Sequence, residues 1–216
     1  NINGGLLIHS GGLGLNGQYL WTANVHTSVL LSLDIHNIRH PKESKVVNPV
    51  YSDSKRYIFG KLNTPIPIKT GIGAQFIIAD KENYSGIRLS GSFVIGSAFT
   101  LLKPEYLKVI YYDPSSGRSF WKIEKYNPSN TQHINQLNIY GGTSFFKGFN
   151  SLDATIGLYG KAWLSFEWNE TDDEYKVLET GIMIDTYPDK LPIFAFIENK
   201  VVFINLFVNF NFGRRW

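Results

Sequence analysis

The sequence predicts an all-β protein: a closed antiparallel transmembrane β-barrel of about eight strands, with ten strands as the alternative. Three observations carry that expectation. Long stretches alternate apolar and polar residues with a period of two, which marks strands with two unlike faces. Aromatic residues make up 15% of the 216 residues and stand beside 20 Gly and one Met, a balance that favours strands over helices. No stretch approaches the roughly 18–20 consecutive apolar residues of a membrane helix, so any membrane crossing falls to strands.

The clearest stretch is the last, VVFINLFVNFNFGRRW. Its even positions, Val202, Ile204, Leu206, Val208, Phe210 and Phe212, are wholly apolar, whereas its odd positions include Asn205, Asn209 and Asn211. Residues 19–36 repeat the pattern, with an odd-numbered apolar stripe from Tyr19 and Trp21 to Ile35 opposite Thr22, His26, Ser32 and Asp34. Residues 58–78 carry the stripe on even positions, opposite Lys61, Asn63, Lys69 and Gln75. Pro65 and Pro67 cannot donate to a ladder, so a bulge or break is expected there. Residues 87–101, 158–168 and 178–186 follow, with Arg88, Lys161, Glu167, Glu179 and Asp185 on their polar faces. Leu6 to Leu15 and Tyr106 to Tyr112 complete a set of about eight. Turn signals stand at Asn16-Gly17, Asp80 to Gly86, Asp113 to Gly117, Asn169 to Glu174 and Tyr187-Pro188. Residues 113–153 are irregular, and a further hairpin there (Phe120 to Tyr126 with Gln136 to Tyr140) would raise the count to ten. The chain reads as one domain over residues 1–216.

A soluble sandwich or lipocalin-like barrel also alternates, so the composition of the faces decides between them. The polar faces hold Asn, Ser, Thr and Gly with isolated charges of both signs, where a water-facing strand carries more Lys and Glu. Aromatics gather toward strand ends at Tyr19, Trp21, Trp168, Phe210, Phe212 and Trp216, as in the interfacial girdles of membrane barrels. The apolar stripes then face lipid, and only a closed barrel satisfies every backbone group there. Eight strands leave room inside for side chains but for no aqueous channel. The inward charges Asp34, Lys61, Lys69, Arg88, Lys161, Glu167, Glu179 and Asp185 must therefore pair with one another, most simply Arg88 with Glu179 or Asp185. The expected location is the bacterial outer membrane, with the NINGG start read as that of a mature chain whose export signal has been removed.

Two resemblances agree with this reading. Val208, Phe210, Phe212 and Trp216 resemble the C-terminal signature of bacterial outer-membrane proteins, which implies recognition by the barrel-assembly machinery. The segments IHSGGLGLN, HPKESKVVNPVY, KRYIFGKLN, KPEYL and FGRRW resemble a family of outer-membrane barrels from Bacteroidota-type bacteria. That resemblance implies the barrel and no particular activity.

The formal charge is only +3 and no Lys/Arg run is present, which leaves out a nucleic-acid partner. Absence of Cys removes disulfides, thiolate metal sites and thiol nucleophiles. His36 and His40 are spaced i,i+4, which suits a metal on a helix, but in a strand would stand about 13 Å apart. His9 and Ser10, with His26 and Asp34 or Glu179, could be assembled into a Ser/His/acid set, although neighbours in a strand face opposite ways. The sequons at Asn83 and Asn169 mean little in a bacterium. The polar segment 39–45 offers Arg39, Lys42 and Lys45, with Lys55 beyond it, to a partner or to lipid phosphates. The apolar run KLPIFAF offers Leu191, Ile193 and Phe194 as a contact, or else folds inward.

With no coherent catalytic set and no wide lumen, the expected function is non-enzymatic: a structural or accessory subunit of an outer-membrane assembly, secretion or transport complex, with no cofactor. Its expected partners are membrane lipids including lipopolysaccharide and other outer-membrane proteins. The alternatives are a lipid A-modifying barrel enzyme and a narrow channel.

Overall fold

The computed structural model describes residues 1–40, 42–81, 86–168 and 174–214. In chain order its strands are β1 (Ile2–His9), β2 (Gly12–Asn24), β3 (Thr27–His36), β4 (Lys45–Val46), β5 (Tyr57–Ile58), β6 (Asn63–Ala79), β7 (Arg88–Pro104), β8 (Tyr106–Asp113), β9 (Arg118–Lys125), β10 (Ile139–Gly142), β11 (Asp153–Glu167), β12 (Glu174–Thr186) and β13 (Val202–Arg214). Eight of them, β1, β2, β3, β6, β7, β11, β12 and β13, close into an antiparallel barrel in which each pairs with its neighbours in the chain. The ring shuts where β13 meets β1, with Leu6 opposite Phe210 and Gly5 opposite Asn211. The strands pass close there: a Cβ on Gly5 would lie 1.8 Å from the carbonyl oxygen of Phe210.

The expected count of eight holds, but its membership differs. Residues 6–15 and 19–36 each looked like one strand, and both contain a turn. The first turn is Ser10-Gly11, between β1 and β2. The second is Val25-His26, between β2 and β3. Trp21 pairs with Val29 and Tyr19 with Leu31, so odd residues face odd residues and the parity runs through the turn unchanged, which hides it. Asn16-Gly17, read as a turn, lies inside β2. Tyr106 to Tyr112 is a strand, β8, but it stands outside the barrel. The extra hairpin does not bring the barrel to ten either: β9 and β10 flank β8 in a separate three-stranded sheet.

Pro65 and Pro67 do not interrupt β6, which pairs regularly with β7 from Asn63 to Ile77. The carbonyl of Pro65 accepts from the Ile38 amide at 3.1 Å. A residue's N–H and C=O point the same way in a strand, so the missing donors of both prolines face the β3 side, where the register runs out after Ile35 opposite Ile68. The β3–β6 pairing stops at Ile68, short of both prolines, while the β6–β7 ladder runs past them. The bulge lies instead between Ile77 and Ala79.

The alternation is inside out relative to a water-soluble protein. Leu15, Leu33, Ile72, Ile95, Leu158, Ile184, Ile204 and Leu206 are exposed, while Lys69, Lys161, Glu179 and Asp185 are buried. Both are what hydrocarbon outside demands, since charge on a lipid face costs several kcal/mol. Tyr19, Trp21, Phe76, Trp168 and Phe212 form an exposed aromatic band around the end at which β1 starts and β13 finishes. Among the described residues no helix is long and apolar enough to cross a membrane. The protein is an outer-membrane β-barrel.

The ends are unequal. At one, strands are joined through 25–26, 80–87 and 168–173. At the other, the joins are 10–11, 37–62, 105–152 and 187–201. Outer-membrane barrels keep short turns in the periplasm and long loops outside, so the second end faces the exterior.

The lipid-facing assignment is tested at Ile95, which is 66% exposed at the middle of β7. Ile95→Arg is expected to lower unfolding stability in lipid vesicles by about 2–4 kcal/mol, read by urea titration of tryptophan fluorescence. On a water-facing wall the same change would be neutral.

Candidate functional site: the filled lumen and the exterior cap

Inside the barrel, apolar and polar side chains share the space. Leu7, Leu20, Leu30, Val94, Ala98, Tyr159, Trp163, Met183 and Phe207 form its apolar cluster. Among the described residues two ion pairs cross the lumen. Lys69 Nζ lies 2.5 Å from Asp185, with both side chains fully buried. Lys161 Nζ lies 3.3 Å from both oxygens of Asp34, and packs over the rings of Trp163 and Phe207 at 5.0 and 4.5 Å. Glu179 has amide partners: Gln18 Nε2 donates to it at 2.9 and 3.0 Å and Asn209 Nδ2 at 2.9 Å. Asn16 links the groups, donating to Asp34 and accepting from Gln18 and Asn211. On the Asn-rich face of β13, Asn209 donates to the buried Glu179 carboxylate and Asn211 to the Asn16 amide oxygen. Removing one partner of a buried ion pair costs about 3–5 kcal/mol.

Several expected pairings are corrected. Arg88 meets neither Glu179 nor Asp185. It sits at the periplasmic rim, 2.7 Å from Asp80 and 3.9 Å from Glu167, because β7 begins there. Lys61 is not a lumen residue: it precedes β6 and pairs with Glu43 at 2.8 Å above the barrel. Lys161 and Asp185 do face inward, with Asp34 and Lys69 as their partners. Val208, Phe210 and Phe212 lie on the outward face of β13. Trp216 lies outside the described residues, as do both sequon asparagines.

Above the lumen the long connections fold together. The 187–201 segment lies across the mouth and is stitched to the end of 37–62. Leu62 N donates to Ile193 O at 2.8 Å, Ala195 N to Gly60 O at 2.9 Å, and Asn63 Nδ2 to Pro192 O at 2.7 Å. Asn199 shapes the segment by accepting from the Ile193 and Phe194 amides at 3.0 Å each and donating to Phe194 O. Leu191, Ile193 and Phe194 are thereby buried with Ile38, Leu102 and Tyr187. The inward-folded alternative for KLPIFAF is the one adopted, and these three are no surface contact. Arg39, Lys42 and Lys45 are exposed.

A second small core holds the outer sheet to this plug: Tyr57, Leu107, Val109, Tyr126 and Ile139. Asn48 ties the two together, donating to the carbonyls of Leu137 and Ile139 at 3.0 and 2.8 Å. The β8–β9 hairpin projects beyond them. Its tip is organised by Asp113, which accepts from Ser115 N, Ser115 Oγ and Ser116 Oγ, and by Gly117 at φ 65°. β9 is the sheet's edge. The Tyr126 amide donates to Glu105 O at 2.9 Å, which sets the phase of the β8–β9 ladder. By alternation the backbone groups of Ser119, Trp121, Ile123 and Lys125 point away from β8. Both faces of β9 are solvent-exposed, with Phe120, Trp121 and Ile123 prominent, and Lys108 lies 4.2 Å over the Trp121 ring.

The residues of the conceivable catalytic set stand apart. His9 and His36 meet at the outer end of the lumen, ring centroids 4.5 Å apart. The Ser10 hydroxyl donates to Asn205 at 3.0 Å, and His26 is in the β2–β3 turn at the opposite end. Asp34 and Glu179 are committed to Lys161 and to amides. His36 and His40 lie in different surroundings, His40 against Phe194 at 5.4 Å. Among the described residues no group of three His, Asp or Glu is placed to hold a metal ion.

No protein-family model and no curated protein sequence matches this chain. Two solved structures of Ail, the attachment invasion locus protein of Yersinia pestis, are similar to it at a TM-score of 0.43. Each comparison covers 100% of this chain and 96% of that one, at 14% identity for one structure and 12% for the other, which is in complex with the heparin analogue sucrose octasulfate.

His40 makes the plug sensitive to acid. Burial, and then the Lys200 and Lys42 ammonium groups, push its imidazole below its ordinary value, with Glu43 acting in the opposite sense. The neutral ring accepts from the Lys42 amide at 3.1 Å. An opened segment takes up a proton near pH 6.5 that the closed one refuses. The His40 contribution is therefore complete above that pH and is lost as pH falls below it. Amide exchange in residues 190–200, corrected for intrinsic rates, should show less protection at about pH 5.5 than at about pH 7.5. His40→Gln should flatten the difference.

Proposed function

We propose that this protein is a non-enzymatic structural subunit of a larger outer-membrane assembly, in which it docks another outer-membrane protein through its exterior cap. The observation that carries the reading is the contrast between a filled interior and an open edge. Ion pairs and aromatic side chains occupy the lumen, and a stitched segment covers its mouth. β9, by contrast, offers unpaired backbone groups and exposed aromatics in one strand. An open edge of this kind is a template for an added strand. Trp121 and Phe120 are residue types that anchor protein interfaces.

A lipid-modifying enzyme is the weaker reading, because the serine, histidines and carboxylates it needs are separated or already engaged. The resemblance to Bacteroidota-type barrels suggests the kind of envelope in which such an assembly operates. The outward Val208, Phe210 and Phe212 would serve the barrel-assembly machinery during insertion.

Mild-detergent extraction of the tagged protein from native membranes, followed by mass spectrometry, tests the proposal. A stoichiometric outer-membrane partner is expected with the wild type. Trp121→Pro removes an outward N–H from β9 and should abolish co-purification, while the barrel keeps its heat-modifiable mobility in gels. Recovery of wild-type protein as a lone monomer would contradict the reading.

A further inference from the structure

The exterior rim has one low point. β1 is the shortest barrel strand at 8 residues, and only Ser10 and Gly11 join it to β2. On both sides the wall rises, through the start of 37–62 and the end of 187–201. A cleft of about 550 Å³ opens in the notch, with Arg39, His40 and Lys200 among its lining residues. A second of about 640 Å³ adjoins it, sharing His40 and Lys200 and adding Lys42 and Lys190.

The charge of this notch is one-sided. Among the described residues Glu198 is the only carboxylate in either lining, and it is engaged by Lys190 at 2.9 Å. Among the described residues no carboxylate pairs with Arg39, Lys42 or Lys200, and all three are exposed. The imbalance is felt inside the fold, since Lys200 and Lys42 both disfavour protonation of His40.

The lower lip has the opposite character. Ile8, Leu13 and Ile204 line the first cleft and are 40%, 54% and 66% exposed. They belong to the lipid-facing stripes of β1, β2 and β13. Unpaired cations thus stand directly above hydrocarbon, at the one place where the wall lets the bilayer reach them. A soluble anion would use the cations and leave the apolar lip idle. A lipid with a phosphate on its headgroup uses both.

We propose that this notch binds the phosphorylated headgroup of an outer-leaflet glycolipid, with Arg39, Lys42 and Lys200 on the phosphate and Ile8, Leu13 and Ile204 against its acyl chains. Basic pockets at a membrane surface recognise anionic headgroups in this way, each cation contributing modestly. The site depends on the membrane placement of the barrel and not on the subunit role proposed above.

The test uses the full chain in detergent micelles with three probes: bis-phosphorylated lipid A, the same lipid A after phosphatase treatment, and a soluble glucosamine phosphate. Retention is read by native mass spectrometry. The wild type is expected to retain the phosphorylated lipid at least about tenfold more than the dephosphorylated one. An Arg39→Gln, Lys42→Gln, Lys200→Gln triple variant should lose that preference. Lys108→Gln with Lys122→Gln, basic positions on the outer sheet, should keep it. Equal retention of the two lipids, or a triple variant that behaves as wild type, would overturn the proposal. So would displacement of the lipid by equimolar sugar phosphate, which would make the notch a site for soluble anions.

Discussion

Everything in this structure follows from the closure of β13 on β1. In hydrocarbon an unpaired backbone N–H or C=O costs several kcal/mol, so a sheet of this length is stable in a membrane only if its first and last strands find each other. The pairing runs from Ile2 with Arg214 to His9 with Phe207 without a shift. Gly5 lets the two backbones approach at the tightest point. Once the ring is shut, the period-two pattern has only one meaning: each apolar stripe looks at lipid and each polar stripe at a narrow lumen filled by side chains.

That narrowness fixes the role of the inward charges. Lys69, Asp185, Lys161 and Asp34 cannot be solvated by bulk water, so each is held by an opposite charge. Glu179 is held by amides from β2 and β13. The network spans five strands, β2, β3, β6, β11 and β12, together with the donors on β13. Such networks set registry as much as stability. With the interior committed to holding the wall together, what remains for encounter with other molecules lies outside: the cap, its open edge β9, and the notch over the β1–β2 turn.

The sequence told the wall well and the cap poorly, for physical reasons. A lipid-facing strand must alternate, so β6, β7, β11, β12 and β13 are plain in the pattern, whereas β1, half of the seam, was merged with β2. Turns leave a weaker trace when parity survives them, as at Val25-His26, or when glycines sit inside strands, as at Gly17. The inward charges were identifiable, but their partners were not. Pairing depends on barrel tilt, which brings Lys161 to Asp34 across the lumen and leaves Arg88 at the rim with Asp80. The cap follows no period. Its plug depends on Asn199 bridging to Ile193 and Phe194, and its outer sheet on strands contributed from both ends of one long connection. The basic notch was half visible: Arg39 and Lys42 stood out as a polar segment, but Lys200 joins them only through the fold.

A barrel that acts from its outer surface, as proposed, should pass no ions through its lumen. Conductance of the purified protein across planar lipid bilayers tests this most directly. No steady ion current is expected at moderate voltage, either for the wild type or for a Phe194→Ala variant that loosens the mouth while leaving the Lys69–Asp185 and Lys161–Asp34 pairs in place. A stable single-channel current in the wild type would mean that the lumen is open to water and ions, and the account would fail at its base.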